Sequence, residues 1–218
     1  MPLVLQGYYA ILDVKGSSLD LSAAMAHASE LLAAEPCCLQ LRGKELSPAH
    51  LCQLGHGLRS LCRDRRIPLC INDRMDVALA VRADAVHLGQ KDLPLADALR
   101  VRKAARAFRL AIGISTHDLA ESKAAEAGGA DYVGLAPIFP TRSKADAGAA
   151  SGLAMLARVS RALRIPVVAI GGVTVDNAAA VAAAGATAAA VIAGVDEAAD
   201  RTQAGRRIAA AFASISRP

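Results

Sequence analysis

Short apolar runs alternate along the chain with longer stretches of helical composition. Eight runs rich in β-branched and aliphatic residues predict strands, at residues 8–13, 37–42, 68–72, 85–88, 109–114, 132–136, 166–170 and 188–192. The longer stretches between them predict helices, among them residues 21–34, 48–61, 118–127, 153–163 and 174–184. The chain therefore reads as repeated strand and helix units.

This alternating order predicts how the strands pair. A strand, a helix and a further strand of the same sheet pair in parallel with a right-handed crossover, and eight such units close a barrel. A weak internal repeat at residues 82–89, 129–136 and 185–192 supports repeated units. A doubly wound open sheet is the alternative, but no Gly-x-Gly-x-x-Gly follows the first strand. We predict an α/β fold, a single-domain (β/α)8 TIM barrel over residues 1–218.

Composition limits the classes of partner. Aromatic residues make up 3% of the chain and Trp is absent, which argues against a base-stacking nucleic-acid platform. The net charge of +5 suits small anionic substrates. The five cysteines form no Cys-x-x-Cys pair, which favours inert thiols in a reducing cytosol.

The sequence also bears on location and assembly. The first residues lack the pattern of a signal peptide, and glycines interrupt the Ala-rich stretch 178–195, so we expect no membrane span. We expect a cytoplasmic protein with neither nucleic acid nor membrane as a partner. The oligomeric state stays open, with a homodimer as one candidate.

Polar side chains follow the second predicted strand. Gln40, Arg42 and Lys44 occupy every second position after an apolar run. If the strand stays extended through Lys44, all three project to one side and form a clamp for an anion. An ordinary strand exit with solvated side chains is the alternative.

Two carboxylates follow the next two strands. Asp73 and Asp92 would lie at neighbouring strand ends, where a hard cation that bridges to diphosphate oxygens finds ligands, and Mg²⁺ is the natural candidate. The alternatives are a helix N-cap for Asp73 and a turn residue for Asp92 before Pro94.

The fifth strand leaves two interpretations equally open. Ser115 and Thr116 could contact a ligand, or they could cap the helix that begins near Asp118. His87 and His117 could each move a proton, but neither has a partner that the sequence identifies, so neither is assigned as a general base.

Loops after the last three strands suit phosphate. Residues 136–148 form a long loop with hydroxyls and cations, which is typical of a lid or binding loop, with an exposed connection as the alternative. Small residues at Gly171, Gly172, Ala193 and Gly194 would let backbone N–H groups approach an anion, at the place where barrels frequently bind phosphate.

Taken together and in this order, these segments resemble the thiamine-phosphate synthases. The matching segments are residues 40–44, 71–74, 87–92, 115–117, 139–144 and 169–172, and the resemblance runs from Tyr9 to Val195. That family condenses hydroxymethylpyrimidine diphosphate with thiazole phosphate to give thiamine phosphate and diphosphate.

The resemblance implies a role for each matching residue. The pyrimidine diphosphate would be held by Gln40, Arg42, Lys44, Asn72, Ser115 and Lys144. Of these, the catalytic residues would be Arg42, Lys44, Ser115 and Lys144. Mg²⁺ would lie on Asp73 and Asp92. The thiazole phosphate would be held by Thr141, Ser143, Gly172, Ile192 and Ala193.

The chain departs from the family pattern at three places. Gly43 stands where a charged residue is usual, Ser143 where Thr is usual, and Ala193-Gly194 where Ser-Ala is common. The thiazole-phosphate half has thus lost a hydroxyl. Two alternatives are a thiazole tautomerase, which typically lacks the acidic pair, and a non-catalytic barrel that binds a phosphorylated ligand.

Overall fold

The computed structural model describes residues 3–141 and 150–213 and shows a closed barrel of parallel strands in the order β1 to β8. The strands are β1 Gly7–Asp13, β2 Cys38–Arg42, β3 Leu69–Asn72, β4 Ala85–Leu88, β5 Ala111–Thr116, β6 Tyr132–Leu135, β7 Val167–Ile170 and β8 Ala188–Val191. The predicted fold is confirmed, and each strand boundary lies within two residues of its predicted position.

Helices follow the strands around the outside of the barrel. They are α1 Leu21–Leu32, α2 Pro48–Arg65, α3 Met75–Ala80, α4 Leu95–Ala104, α5 Leu119–Ala127, α6 Gly152–Ala162, α7 Ala178–Ala183, α8 Ala193–Asp196 and α9 Arg201–Ala213. Helix α2 extends four residues beyond its predicted end, because Arg66 adopts a left-handed cap (φ 58°) behind a basic last turn. Helix α7 begins later than predicted, because Asn177 Oδ1 accepts the Thr174 N–H and holds a turn there.

The strands separate two layers of core. Side chains that point outward, such as Leu39 and Leu41, pack against the helices, whereas Tyr9, Cys38 and Cys70 point into the barrel. Alternate residues of one strand thus serve the two layers. Within the described residues, every helix is too short or too polar to cross a membrane.

Candidate functional site

A cavity of about 830 Å³ opens at the carboxyl ends of the strands. Because parallel strands all end at the same side of a barrel, side chains that are far apart in sequence meet here. All the predicted site residues that the structure describes line this cavity: Gln40, Arg42, Lys44, Asn72, Asp73, Asp92, Ser115, Thr141, Gly172, Ile192 and Ala193. The remaining two, Ser143 and Lys144, lie outside the described residues.

The cations on one side of the cavity come from a strand end and from the turn that follows it. Strand β2 ends at Arg42, as predicted, and does not continue through Lys44, so the condition for placing all three side chains on one side of an extended strand is not met. The Leu46 N–H donates to the Gly43 carbonyl, which closes a turn, and a Cβ on Gly43 would lie 2.8 Å from Leu46 Cδ1. Lys44 therefore reaches the cavity from an exposed turn, whereas Arg42 reaches it from the strand.

Arg42 has a partner that the sequence analysis missed. Its Nη1 donates to Asp13 Oδ1 at the end of β1, and both side chains are mostly buried. An acidic residue at the end of an apolar strand was the available signal. A carboxylate on one edge of a guanidinium fixes its plane, so Asp13 orients Arg42 at the cavity wall.

Asp73 and Asp92 lie in contact at the ends of neighbouring strands, where the sequence predicts a metal site. Burial, followed by the hydrogen bond and charge of Asp92, raises the pKa of Asp73 to about 6, while the positive charges of Lys44 and Arg42 act in the opposite direction. The N-cap alternative for Asp73 fails because Arg74 is the N-cap of α3. The turn alternative for Asp92 holds as well, since its Oδ2 accepts the Gly89 N–H at 2.7 Å.

This acidic pair suits one kind of cation. The described residues contain no group of three or more His, Cys, Asp or Glu side chains that could hold a metal ion. Mg²⁺ commonly takes one or two carboxylates and completes its shell with water and substrate phosphates, whereas a structural zinc site needs four protein ligands. Two adjacent carboxylates that repel each other therefore fit Mg²⁺ bound together with a diphosphate.

Ser115 faces the cavity and does not cap a helix. The N-cap of α5 is Asp118, whose Oδ1 accepts the Glu121 N–H at 2.8 Å, so the capping alternative is wrong. Ser115 Oγ lies 2.9 Å from Nε2 of the buried His87, a partner that the sequence did not reveal. His117 is exposed and pairs with Glu121 at 2.9 Å.

The opposite side of the cavity offers backbone donors. Within the described residues, no hydrogen bond is donated by the N–H groups of Gly172, Val173, Ala193 or Gly194. A Cβ on Gly194 would lie 2.4 Å from the Val173 carbonyl oxygen, so the loops after β7 and β8 are in direct contact. Barrels frequently bind phosphate between these two loops.

Comparison with known proteins gives a consistent result. A family model described as Thiamine monophosphate synthase matches residues 9–195. The thiamine-phosphate synthase of Moorella thermoacetica is 45% identical over 177 residues, which cover 81% of this chain and 82% of that protein. The one from Methanospirillum hungatei is 43% identical over 182 residues, which cover 84% and 86%.

Solved structures agree with the family match. The thiamine phosphate pyrophosphorylase from Pyrococcus furiosus superimposes with a TM-score of 0.81 at 33% identity, over 96% of each chain. A 3-hexulose-6-phosphate synthase superimposes with a TM-score of 0.72 at 20% identity, over 94% of this chain and 99% of that chain. The second likeness concerns the fold alone.

Proposed function

The chain belongs to the thiamine monophosphate synthase family, and from this we propose that it is a transferase of thiamine biosynthesis that joins a pyrimidine diphosphate to a thiazole phosphate. The products are thiamine phosphate and diphosphate. The observation that carries the proposal is one cavity with side-chain cations and carboxylates on one side and backbone N–H donors on the other. Two separate anions thus have separate places to bind.

The diphosphate belongs on the side of β1 to β5. Arg42 presents a planar fork held by Asp13, and Lys44 adds a point charge from its turn. Asp73 and Asp92 would hold Mg²⁺ here, and the bound ion supplies positive charge that stabilises the departing diphosphate. The family resemblance adds Gln40 and Asn72, which line the same wall.

The thiazole phosphate belongs on the side of β7 and β8. Gly172, Val173, Ala193 and Gly194 line this side, and within the described residues their N–H groups donate no hydrogen bond, so a phosphate monoester bound here could accept from them. The thiazole ring then lies between this phosphate and the pyrimidine. The two reacting atoms are thereby brought together.

The chemistry needs charge stabilisation and no side-chain nucleophile. The bond between the pyrimidine methylene carbon and the diphosphate oxygen breaks, and its electron pair leaves with diphosphate. The thiazole nitrogen donates its lone pair to the methylene carbon and forms the new C–N bond. Arg42 and Lys44 act on the negative charge that develops on the leaving group.

The acidic pair separates this function from its alternatives. A thiazole tautomerase releases no diphosphate and has no use for two adjacent carboxylates at the mouth of β3 and β4. A barrel that only binds a phosphorylated ligand has no use for a cation on the leaving-group side. The contact between Asp73 and Asp92 therefore favours the synthase.

The test is an assay for thiamine phosphate from the two purified substrates, with and without Mg²⁺. We expect product only with Mg²⁺, and none from Asp92→Asn, which keeps an oxygen for the Gly89 N–H but removes the charge. The control is Asp76→Asn, an exposed carboxylate on α3 that does not line the cavity. Absence of product from the unmodified protein under every condition would refute the synthase, and full activity of Asp92→Asn would refute the metal site.

A further inference from the structure

A line of hydrogen-bonded side chains crosses the barrel interior beneath the cavity. Gln40 Nε2 lies 2.9 Å from the Tyr9 hydroxyl, which lies 3.3 Å from the Tyr132 hydroxyl. The Tyr132 hydroxyl lies 3.1 Å from His87 Nδ1, and His87 Nε2 lies 2.9 Å from Ser115 Oγ. All five side chains are buried. We call this line the relay.

Two glycines make room for the rings of the relay. Gly113 on β5 pairs with Tyr132, and a Cβ there would lie 2.1 Å from Tyr132 Cζ. A Cβ on Gly134 would lie 2.8 Å from His87 Cε1. Any other residue at either position would displace a ring, so the relay depends on the sequence of two neighbouring strands.

The direction of the relay is set at Gln40. Each hydroxyl carries one hydrogen, and neutral imidazole carries one N–H, so donation along the line runs one way or the other. The Gln40 amide nitrogen faces both the Tyr9 hydroxyl and Cys70 Sγ, at 2.9 and 3.8 Å. The Cys70 thiol directs its hydrogen to the Ile71 carbonyl, which only accepts, and its sulfur is left to accept from the amide. Because an amide nitrogen only donates, the relay starts at Gln40.

The remaining hydrogens follow from this start. Tyr9 accepts from Gln40 and donates to Tyr132. The Tyr132 hydroxyl lies 3.1 Å from His87 Nδ1 and 3.8 Å from Cys70 Sγ, and it donates to the imidazole nitrogen, which is the nearer and stronger acceptor. The imidazole hydrogen then lies on Nε2 and is donated to Ser115 Oγ. Burial raises the pKa of both tyrosines, which keep their phenolic hydrogens. The Ser115 hydrogen is left to point into the cavity.

We propose that Tyr9, Tyr132 and His87 are positioning residues that hold Ser115 as a hydrogen-bond donor to the substrate anion. The identity of that anion, the pyrimidine diphosphate, rests on the proposed function. A serine 2.9 Å from a histidine would otherwise suggest a nucleophile with its general base. With its hydrogen on Nε2, His87 has no lone pair to remove the Ser115 proton, so Ser115 binds charge and does not attack.

The first experiment determines the tautomer of His87 in the protein without substrates. Two-bond ¹H–¹⁵N correlation spectra of ¹⁵N-histidine-labelled protein at about pH 8 distinguish a protonated from an unprotonated ring nitrogen. The chain has five histidines, and the spectrum of His87→Gln identifies the His87 signals by their loss. We expect Nδ1 unprotonated and Nε2 protonated. The Nδ1–H tautomer, or an imidazolium at this pH, would overturn the proposal.

The second experiment removes one hydroxyl of the relay. Tyr132→Phe deletes the donor to Nδ1 and keeps the ring over Gly113, so we expect a mixed tautomer and a KM for the pyrimidine diphosphate raised by about fivefold. The control is Tyr8→Phe, since the buried Tyr8 hydroxyl has no hydrogen-bond partner within the described residues. Equal effects of the two variants on tautomer and KM would overturn the proposal.

The two experiments distinguish failure of the proposed function from failure of the relay. The tautomer is measured without substrate, so an Nε2–H tautomer that depends on Tyr132, in a protein that makes no thiamine phosphate, would leave the relay standing and reject the synthase. Product formation by a protein whose His87 carries its hydrogen on Nδ1 would reject the relay and leave the synthase standing.

Discussion

Replacing Asp73 by Asn should stabilise the protein and abolish its activity. Burial, together with the contact with Asp92, raises the pKa of Asp73 from 3.8 to about 6, so the folded state disfavours its ionised form. Two pKa units correspond to at most about 3 kcal/mol, and solvent screening of this partly exposed side chain reduces the figure to about 1–2 kcal/mol. Asn removes the charge that carries this cost.

The backbone makes Asn the better substitution. Asp73 has φ 63°, in the left-handed region that Asn tolerates and Ala does not. Asp73→Asn therefore tests the charge without adding strain. Asp73→Ala would remove the charge, which stabilises the fold, and add backbone strain, which destabilises it.

The sign of the pH dependence follows from the raised pKa. The folded state binds the Asp73 proton more tightly than the unfolded state, so this residue lowers the free energy of unfolding as pH rises from about 4 to about 6. Asp73→Asn should exceed the unmodified protein in stability by about 1–2 kcal/mol near pH 7.5, and by less near pH 5.

The assay is urea denaturation followed by far-ultraviolet circular dichroism, without Mg²⁺, at both pH values. In a thermal scan of the same samples, a gain of this size raises the melting temperature by about 2–8 °C in a chain of this length. A variant no more stable than the unmodified protein near pH 7.5 would refute the cost that burial and the neighbouring Asp92 impose on ionised Asp73. A variant that still makes thiamine phosphate at the unmodified rate would refute its role at the metal.

Three further outcomes follow from the structure. Gly172→Ala should raise the KM for the thiazole phosphate at least about tenfold, since φ is 66° and the new Cβ would lie 2.7 Å from Phe139 Cβ. Ala193→Ser restores the hydroxyl common in the family. It should lower that KM by about threefold to tenfold, because the hydroxyl can donate a hydrogen bond to the charged phosphate. Asp84→Ala leaves the buried Leu69 N–H without its acceptor and should cost about 3 kcal/mol of stability, with kcat unchanged.

Each of these outcomes has a matched control. Gly16 has φ 82° and open space around it, so Gly16→Ala isolates backbone strain, and an equal KM change there would refute the close contact at Gly172. Ala179→Ser adds a hydroxyl to an exposed helix position and should leave KM unchanged. Asp64→Ala removes an exposed ion pair and should change the melting temperature by less than about 2 °C. If Asp64→Ala and Asp84→Ala lowered the stability by the same amount, the assigned role of Asp84 would be contradicted.

The sequence alone determined the barrel and the ring of residues around its mouth. The alternation of apolar runs reports locally which segments are strands, and parallel pairing places every strand end on one side. Gln40, Asp73, Ser115 and Gly172 could therefore be assigned to one site without knowledge of their contacts.

Tertiary structure decided which of these residues touch. The partners Asp13 and Arg42 lie 29 residues apart, and His87 and Tyr132 lie 45 apart. Local patterns carry no information on such pairs, because the closed barrel and its strand register set their distances. The end of β2 at Arg42 was likewise decided by packing, since Leu46 folds over Gly43 and turns Lys44 away from the strand.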